Sequence, residues 1–283
     1  LKGDTMIKCD LHTHSICSDG RYNPKDIVIM AKDRKLDYIA LTDHDTLTGI
    51  PEAIIESDKL KVNFIPGIEL STEHNGESIH VLGFFTKENY NNEELHKVLD
   101  AFKEKRIERA YKILDNLKKF HNIDIDINKV LSNGKDTIAR PHIAKAIMDA
   151  GYPYDHEYIF ENFIGNDCRA YVPSTKVTTT EGIKLLKKFN ALVFLAHPVL
   201  VKKTSIDELL DLGFDGLEAI YFRNKPKETK RFLKIAKDRN LYISCGSDCH
   251  GIPNDVRHGN VGDVNIPDDE NVLHMLRWLK LQG

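Results

Sequence analysis

Short segments rich in imidazole and carboxylate recur along the chain: Asp10-Leu11-His12-Thr13-His14 with Ser18-Asp19-Gly20, Thr42-Asp43-His44-Asp45, Glu69, His80, His197 and Ser247-Asp248-Cys249-His250. Imidazole nitrogen and carboxylate oxygen without thiolate are the donors that suit zinc, manganese or iron, so these segments point to metal chemistry. In an extended strand, side chains two apart project from one face, which lets His12 and His14 grip a single ion together. A lone His-x-His pair is common on polar surfaces. Here every candidate histidine lies in or just after an apolar run, and all but His197 have a carboxylate nearby in sequence. The candidate ligands are His12, His14, Asp19, His44, Glu69, His80, His197, Asp248 and His250, with His80 inside its run rather than beyond it. Nine donors exceed the three or four that one ion takes, which implies two or three ions with a carboxylate bridging a pair. His74, His96, His121, His156, His258 and His274 lack this placement and read as surface or helix residues.

The elements that must carry these donors are apolar runs of strand length: Met6 to Asp10, Tyr38 to Leu41, Val62 to Ile65, Ile79 to Phe84, Ala191 to Leu195, Gly216 to Tyr221 and Leu241 to Ser244. Between most of them lie amphipathic segments with helix-start signals, as at Asn23-Pro24, where an N-cap residue precedes a proline at the first helical position. Pro24 to Lys35, Glu52 to Lys59, Thr180 to Phe189, Ile206 to Leu212 and Lys227 to Arg239 read as helices. Continuously apolar strands alternating with helices predict a buried parallel sheet, and in a parallel barrel the C-terminal strand ends converge on one mouth. The alternation breaks from about Lys87 to Arg169. There Leu95, Val98, Leu99, Phe102, Ala110, Ile113, Leu114 and Leu117 predict one long amphipathic helix within a helical insertion. The expected organisation is a barrel part over residues 1–86, a helical lid over 87–170, and a second barrel part over 171–283.

At 283 residues the chain has room for one main core carrying a smaller insertion. No apolar run approaches the roughly 20 residues that cross a bilayer, and Leu1 to Lys8 has no secretory signature, so a soluble cytoplasmic protein is expected. Five cysteines without paired spacing argue against a disulfide framework and fit a reducing compartment. A formal charge of −3 gives no global field for a long polyanion, which favours a small phosphorylated substrate. No stable protein partner is expected.

The ordered motifs DLHTHS with SDG, TDHD, PGIELS, HVLGFF, AHP and GSDCHG resemble those of the PHP (polymerase and histidinol phosphatase) family, over Cys9 to Phe85 and again from Tyr171 to Gly251. The resemblance implies a distorted (β/α)7 barrel with a trinuclear centre. His12, His14, Glu69 and Asp248 would hold one ion, Glu69 as a bridge with His80 and His197 a second, and Asp19, His44 and His250 a third. Arg140-Pro141-His142-Ile143-Ala144 and Ala170-Tyr171-Val172-Pro173 resemble the branch of nucleotide phosphatases and 5'-to-3' exoribonucleases. Arg140 would then clamp a phosphate, with His142 as a further donor; the plainer alternative is that both merely start a helix. Asp10, Asp43 and Asp45 are candidates to orient ligand imidazoles, or else loop caps. Cys249 reads as packing, and the stretch Lys103, Lys105, Arg106, Arg109 and Lys112 as a solvated face.

The expected function is metal-dependent hydrolysis of phosphate esters on nucleotides or short 5'-phosphorylated oligonucleotides by metal-activated hydroxide, with two or three manganese, zinc or iron ions. The alternatives are a phosphatase for another metabolite such as histidinol phosphate, an amidohydrolase, and a noncatalytic metal-binding module. No residue is assigned as the acid that protonates the leaving oxygen.

Overall fold

The computed structural model describes residues 7–134, 138–173, 177–267 and 278. The chain divides into two compact units, Leu1–Leu95 with Lys176–Gly283, and His96–Thr175.

The first unit is a mixed α/β barrel. Its strands are β1 (Cys9–Asp10), β2 (Tyr38–Leu41), β3 (Asn63–His74), β4 (Glu77–Phe84), β5 (Val177–Thr178), β6 (Leu192–Leu195), β7 (Gly216–Tyr221) and β8 (Tyr242–Gly246). Around the ring the order is β1-β2-β3-β4-β6-β7-β8, while β5 adds to β3 off this path. Closure comes from Leu11 N–H donating to Cys245 O (2.8 Å) and a parallel bridge between Thr13 and Cys249. The result is a nearly closed, distorted (β/α)7 barrel.

The distortion has a local cause. A parallel sheet was expected throughout, but β4 runs antiparallel to both β3 and β6. Asn75 and Gly76 both hold positive φ (49° and 76°) and join β3 to β4 as a two-residue hairpin, the turn that Asn-Gly favours. Strand β3 also continues to His74, well beyond Ile65, because it pairs along its whole second half with β4. Strand β5 was not anticipated; two residues are too few to leave a periodic signal.

Helices α1 (Pro24–Asp33), α2 (Ile50–Leu60), α7 (Thr179–Lys188), α8 (Ile206–Leu210) and α9 (Pro226–Asp238) belong to this unit. At the start of α1 the Asn23 side chain donates to Asp26 Oδ2 (2.6 Å), rather than capping a helix N–H, and Pro24 occupies the first turn. At α7, Thr178 Oγ1 accepts from Glu181 N–H while Glu181 Oε2 accepts from Thr178 N–H, a reciprocal capping box. At the barrel end away from His80, Phe84, Phe194 and Trp278 pack ring on ring with centroids 5.2 Å apart, and the Trp278 indole donates to Ile243 O (2.8 Å).

The second unit is helical. Helix α3 (Glu93–His121) leads into it, followed by α4 (Ile127–Gly134), α5 (Arg140–Asp149) and α6 (His156–Ile159), which continues as one π turn, Phe160–Ile164. It has its own core, in which Ile113 and Leu117 from α3 meet Val130, Ile143, Ile147, Ile159 and Ile164. Among the described residues no helix is long and apolar enough to cross a membrane.

Candidate metal centre

All nine candidate ligands belong to the barrel unit, seven of them on segments that follow a strand and two, Glu69 and His80, inside one. His12 and His14 leave β1, His44 follows β2, Glu69 sits within β3, His197 follows β6, and Asp248 and His250 follow β8. Because β4 is reversed, its first half lies at the same end as the C-termini of the parallel strands. His80 therefore reaches the mouth from inside its strand, opposite Ser71 and diagonal to Glu69.

Four donor atoms form the tightest cage. His12 Nε2 and His14 Nε2 lie 3.1 Å apart, Glu69 Oε2 lies 3.1 and 3.2 Å from them, and Asp248 Oδ1 lies 3.5 and 3.2 Å from them. A tetrahedral ion with bonds of 2.0–2.1 Å has ligand–ligand edges of roughly 3.3 Å, so the spacing fits such an ion. The other oxygen, Glu69 Oε1, faces His80 Nδ1 at 2.8 Å and His197 Nε2 at 3.0 Å. A third group gathers Asp19, His44, His250 and His14, with His250 Nε2 at 3.2 Å and His44 Nε2 at 3.7 Å from the Asp19 carboxylate. His14 Nδ1 is buried with no hydrogen-bond partner, a cost of about 1–3 kcal/mol for a polar atom away from water unless something binds there.

The electrostatics suit cations. Burial alone would raise the Glu69 carboxyl, but the imidazoles of His44, His12 and His80 hold it well below the usual carboxylate range. Asp248 is buried too, and His12, His14 and His250 hold it down likewise. Burial opposes charge on His14, yet bonds to Asp248 and Glu69 raise it to about 10. Burial wins at His44, which is pushed down to about 4 despite Glu69 and Asp19. Anionic carboxylates and crowded imidazoles thus form a cluster whose donors fit divalent ions.

Asp10, Asp43 and Asp45 brace loops. Asp10 accepts from Ser247 Oγ (2.5 Å), Ser247 N–H (2.9 Å) and Gly262 N–H (2.7 Å). Asp43 accepts from Ser15 N–H and the hydroxyls of Ser15 and Ser18, and Asp45 from Ser71 N–H. Cys249 is buried. A further carboxylate, Glu218, is fully buried, and its Oε1 lies 3.0 Å from His12 Nδ1. Tyr221 donates its hydroxyl to Asp248 Oδ2 (3.0 Å).

His258, expected from the sequence to be an ordinary surface or helix residue, packs against His250 with ring centroids 4.3 Å apart and planes tilted by 35°, and is bonded through Nδ1 to Asp255 (2.6 Å). It stands in the segment after the last strand, where no apolar run marks it. The polar Glu218 inside the otherwise apolar β7 is a signal legible in the sequence; His258 leaves none.

Arg140 and His142 lie in the helical unit. Arg140 donates to Ile164 O (3.1 Å) and Asn166 Oδ1 (2.8 Å), and its guanidinium sits 5.4 Å from the Tyr171 ring centroid. His142 Nδ1 accepts from Ala139 N–H (3.0 Å) at the start of α5. Arg109 donates to Val172 O (2.8 Å), so the basic stretch of α3 is not wholly solvated. His74 pairs with Glu208 at the surface, and His274 lies outside the described residues.

A reversed-strand barrel with this donor set at its mouth defines the class of metal-dependent hydrolases built on distorted (β/α) barrels. Residues 10–150 match the PHP domain family. The 5'-3' exoribonuclease of Haemophilus influenzae is 29% identical over 251 residues, covering 86% of this chain and 90% of that one. The 3',5'-nucleoside bisphosphate phosphatase of Chromobacterium violaceum is 26% identical over 252 residues, covering 87% and 88%. A solved structure from Bifidobacterium adolescentis, assigned to the metal-dependent phosphoesterases, superposes with a TM-score of 0.77 at 29% identity over 96% of each chain. The chain belongs to the PHP family and is a metal-dependent phosphoesterase.

Proposed function

We propose that the chain hydrolyses phosphate esters of nucleotides or short 5'-phosphorylated oligonucleotides, with two or three manganese, zinc or iron ions held by the nine barrel residues. The observation that carries this reading is the cage of His12, His14, Glu69 and Asp248, whose 3.1–3.5 Å edges suit one ion while the second oxygen of Glu69 is turned to His80 and His197. On this reading Glu69 would be shared between the ion held by His12, His14 and Asp248 and one held by His80 and His197, and Asp19, His44 and His250 would hold a third. When bound, such ions supply an acidified water as nucleophile and neutralise phosphoryl charge.

The chain's own part is to fix the donors before substrate arrives and to keep the imidazoles deprotonated toward the ions. Arg140 and His142 are the proposed contacts to substrate phosphate, with Arg140 offering a planar fork of donors. The relatives named as an exoribonuclease and as a bisphosphate phosphatase support a nucleotide or RNA end as the substrate class. Five free thiols suit a reducing, cytoplasmic setting.

A metal-supplemented hydrolysis panel tests the reading. Nucleoside mono- and bisphosphates, histidinol phosphate and short 5'-phosphorylated RNA are offered with manganese, zinc or iron, beside His12→Ala and Asp248→Ala controls. Release of phosphate or mononucleotide by the wild type alone is expected. Turnover of histidinol phosphate only would overturn the substrate class, and a folded, metal-loaded chain inert on the whole panel would favour a binding module.

A further inference from the structure

Strand β7 supplies none of the nine candidate ligands, yet two of its polar side chains face them. Glu218 Oε1 lies 3.0 Å from His12 Nδ1, and Glu218 Oε2 accepts the His197 backbone N–H at 2.7 Å. Three residues on, the Tyr221 hydroxyl donates to Asp248 Oδ2 at 3.0 Å. Residues three apart on a regular strand point to opposite faces. The pairing of β7 with β8 explains the exception: Glu218 pairs with Ser244 and Ile220 with Cys245, so β7 carries one extra residue at Ala219. That bulge turns Tyr221 back to the side of Glu218.

We propose that β7 is the strand that presets the metal centre, with Glu218 positioning His12 and His197 together and Tyr221 positioning Asp248. Accepting a proton-bearing Nδ1 from His12 leaves the Nε2 lone pair aimed into the cage. The second oxygen pins His197 where its backbone is strained, at φ 27°, a conformation that a non-glycine residue holds only when its surroundings impose it. Both partners of Glu218 are then donors, so the position demands two acceptors. Glutamine has one, and an amide donor turned to His12 Nδ1 would place the imidazole proton on Nε2, inside the cage. At Gly246 any Cβ would lie 2.2 Å from His12 Cβ and 2.3 Å from Glu218 Oε1, so the carboxylate and the imidazole fill that space completely.

The inference rests on the metal reading above, and its test separates the two. Metal-free wild type, Glu218→Gln and Tyr221→Phe are titrated with manganese or zinc against a chelating dye, and the melting of each metal-free chain is recorded. Wild type is expected to bind, Glu218→Gln to bind about 10–100-fold more weakly, and Tyr221→Phe to be weakened less. A wild type that takes up no ion overturns the metal reading itself. Wild-type binding matched by undiminished affinity in Glu218→Gln, with only a lower metal-free melting temperature, assigns Glu218 to packing and overturns the inference. If Glu218→Gln does not fold, Tyr221→Phe, which removes a single hydroxyl, decides: unchanged affinity there overturns it.

Discussion

At the scale of single residues the centre is a competition between protons and cations. His14 is raised to about 10 and His12 is raised as well, each because neighbouring carboxylates outweigh burial, so in the ion-free chain at pH 7 these imidazoles hold protons that a metal must displace. Ion binding is therefore expected to release protons, seen as a binding enthalpy that varies with the ionisation enthalpy of the buffer; a buffer-independent enthalpy would contradict it. The same sign makes acid an inhibitor. Turnover should decline as pH falls and protons compete for His14, and be lost near pH 4, where His44 also takes up a proton; full activity there would exclude imidazole ligation. Space is equally demanding. Gly246→Ala drives a methyl group into His12 and Glu218, with an expected loss of about 1–3 kcal/mol from overpacking and a sharp fall in kcat read by steady-state kinetics.

At the scale of elements, the reversed β4 matters most. It begins at Glu77, whose carboxylate accepts the backbone N–H groups of Lys202, Lys203 and Thr204 in the loop beyond His197. Slight burial would raise Glu77, but those three bonds hold it down to about 2 against 4.5 for the free side chain. A depressed carboxylate contributes stability that is present above pH 4.5 and lost as pH falls toward 2. Glu77→Gln is accordingly expected to lower the denaturation midpoint at pH 7, with the gap to wild type closing between pH 4.5 and 2. Solvent exposure keeps the effect small. The reversal of β4 was legible in part. Asn75-Gly76 between two strand-forming runs is a hairpin signal, but the β/α alternation on either side is the pattern of an all-parallel sheet. The bulge at Ala219 was not legible, since it depends on pairing with β8 rather than on any residue of β7.

At the scale of the whole molecule, the helical unit carries a core separate from that of the barrel. Ile147→Ala there removes a fully buried side chain, with an expected cost of about 2–5 kcal/mol. Because all nine candidate ligands belong to the barrel unit, the bound metal per chain, measured by elemental analysis, should stay at the wild-type value. A loss of metal in this variant would show that the barrel donors depend on the helical core. What the sequence determined by itself was the chemistry of the donors and the alternation of strands and helices, because donor type and apolar periodicity are properties of short segments. The tertiary structure alone decided that β7 bulges at Ala219, that Glu218 and Tyr221 meet His12 and Asp248, and that His258 packs against His250. Each of those depends on separate segments of the chain being brought within hydrogen-bonding or packing distance, and no local pattern records such a meeting.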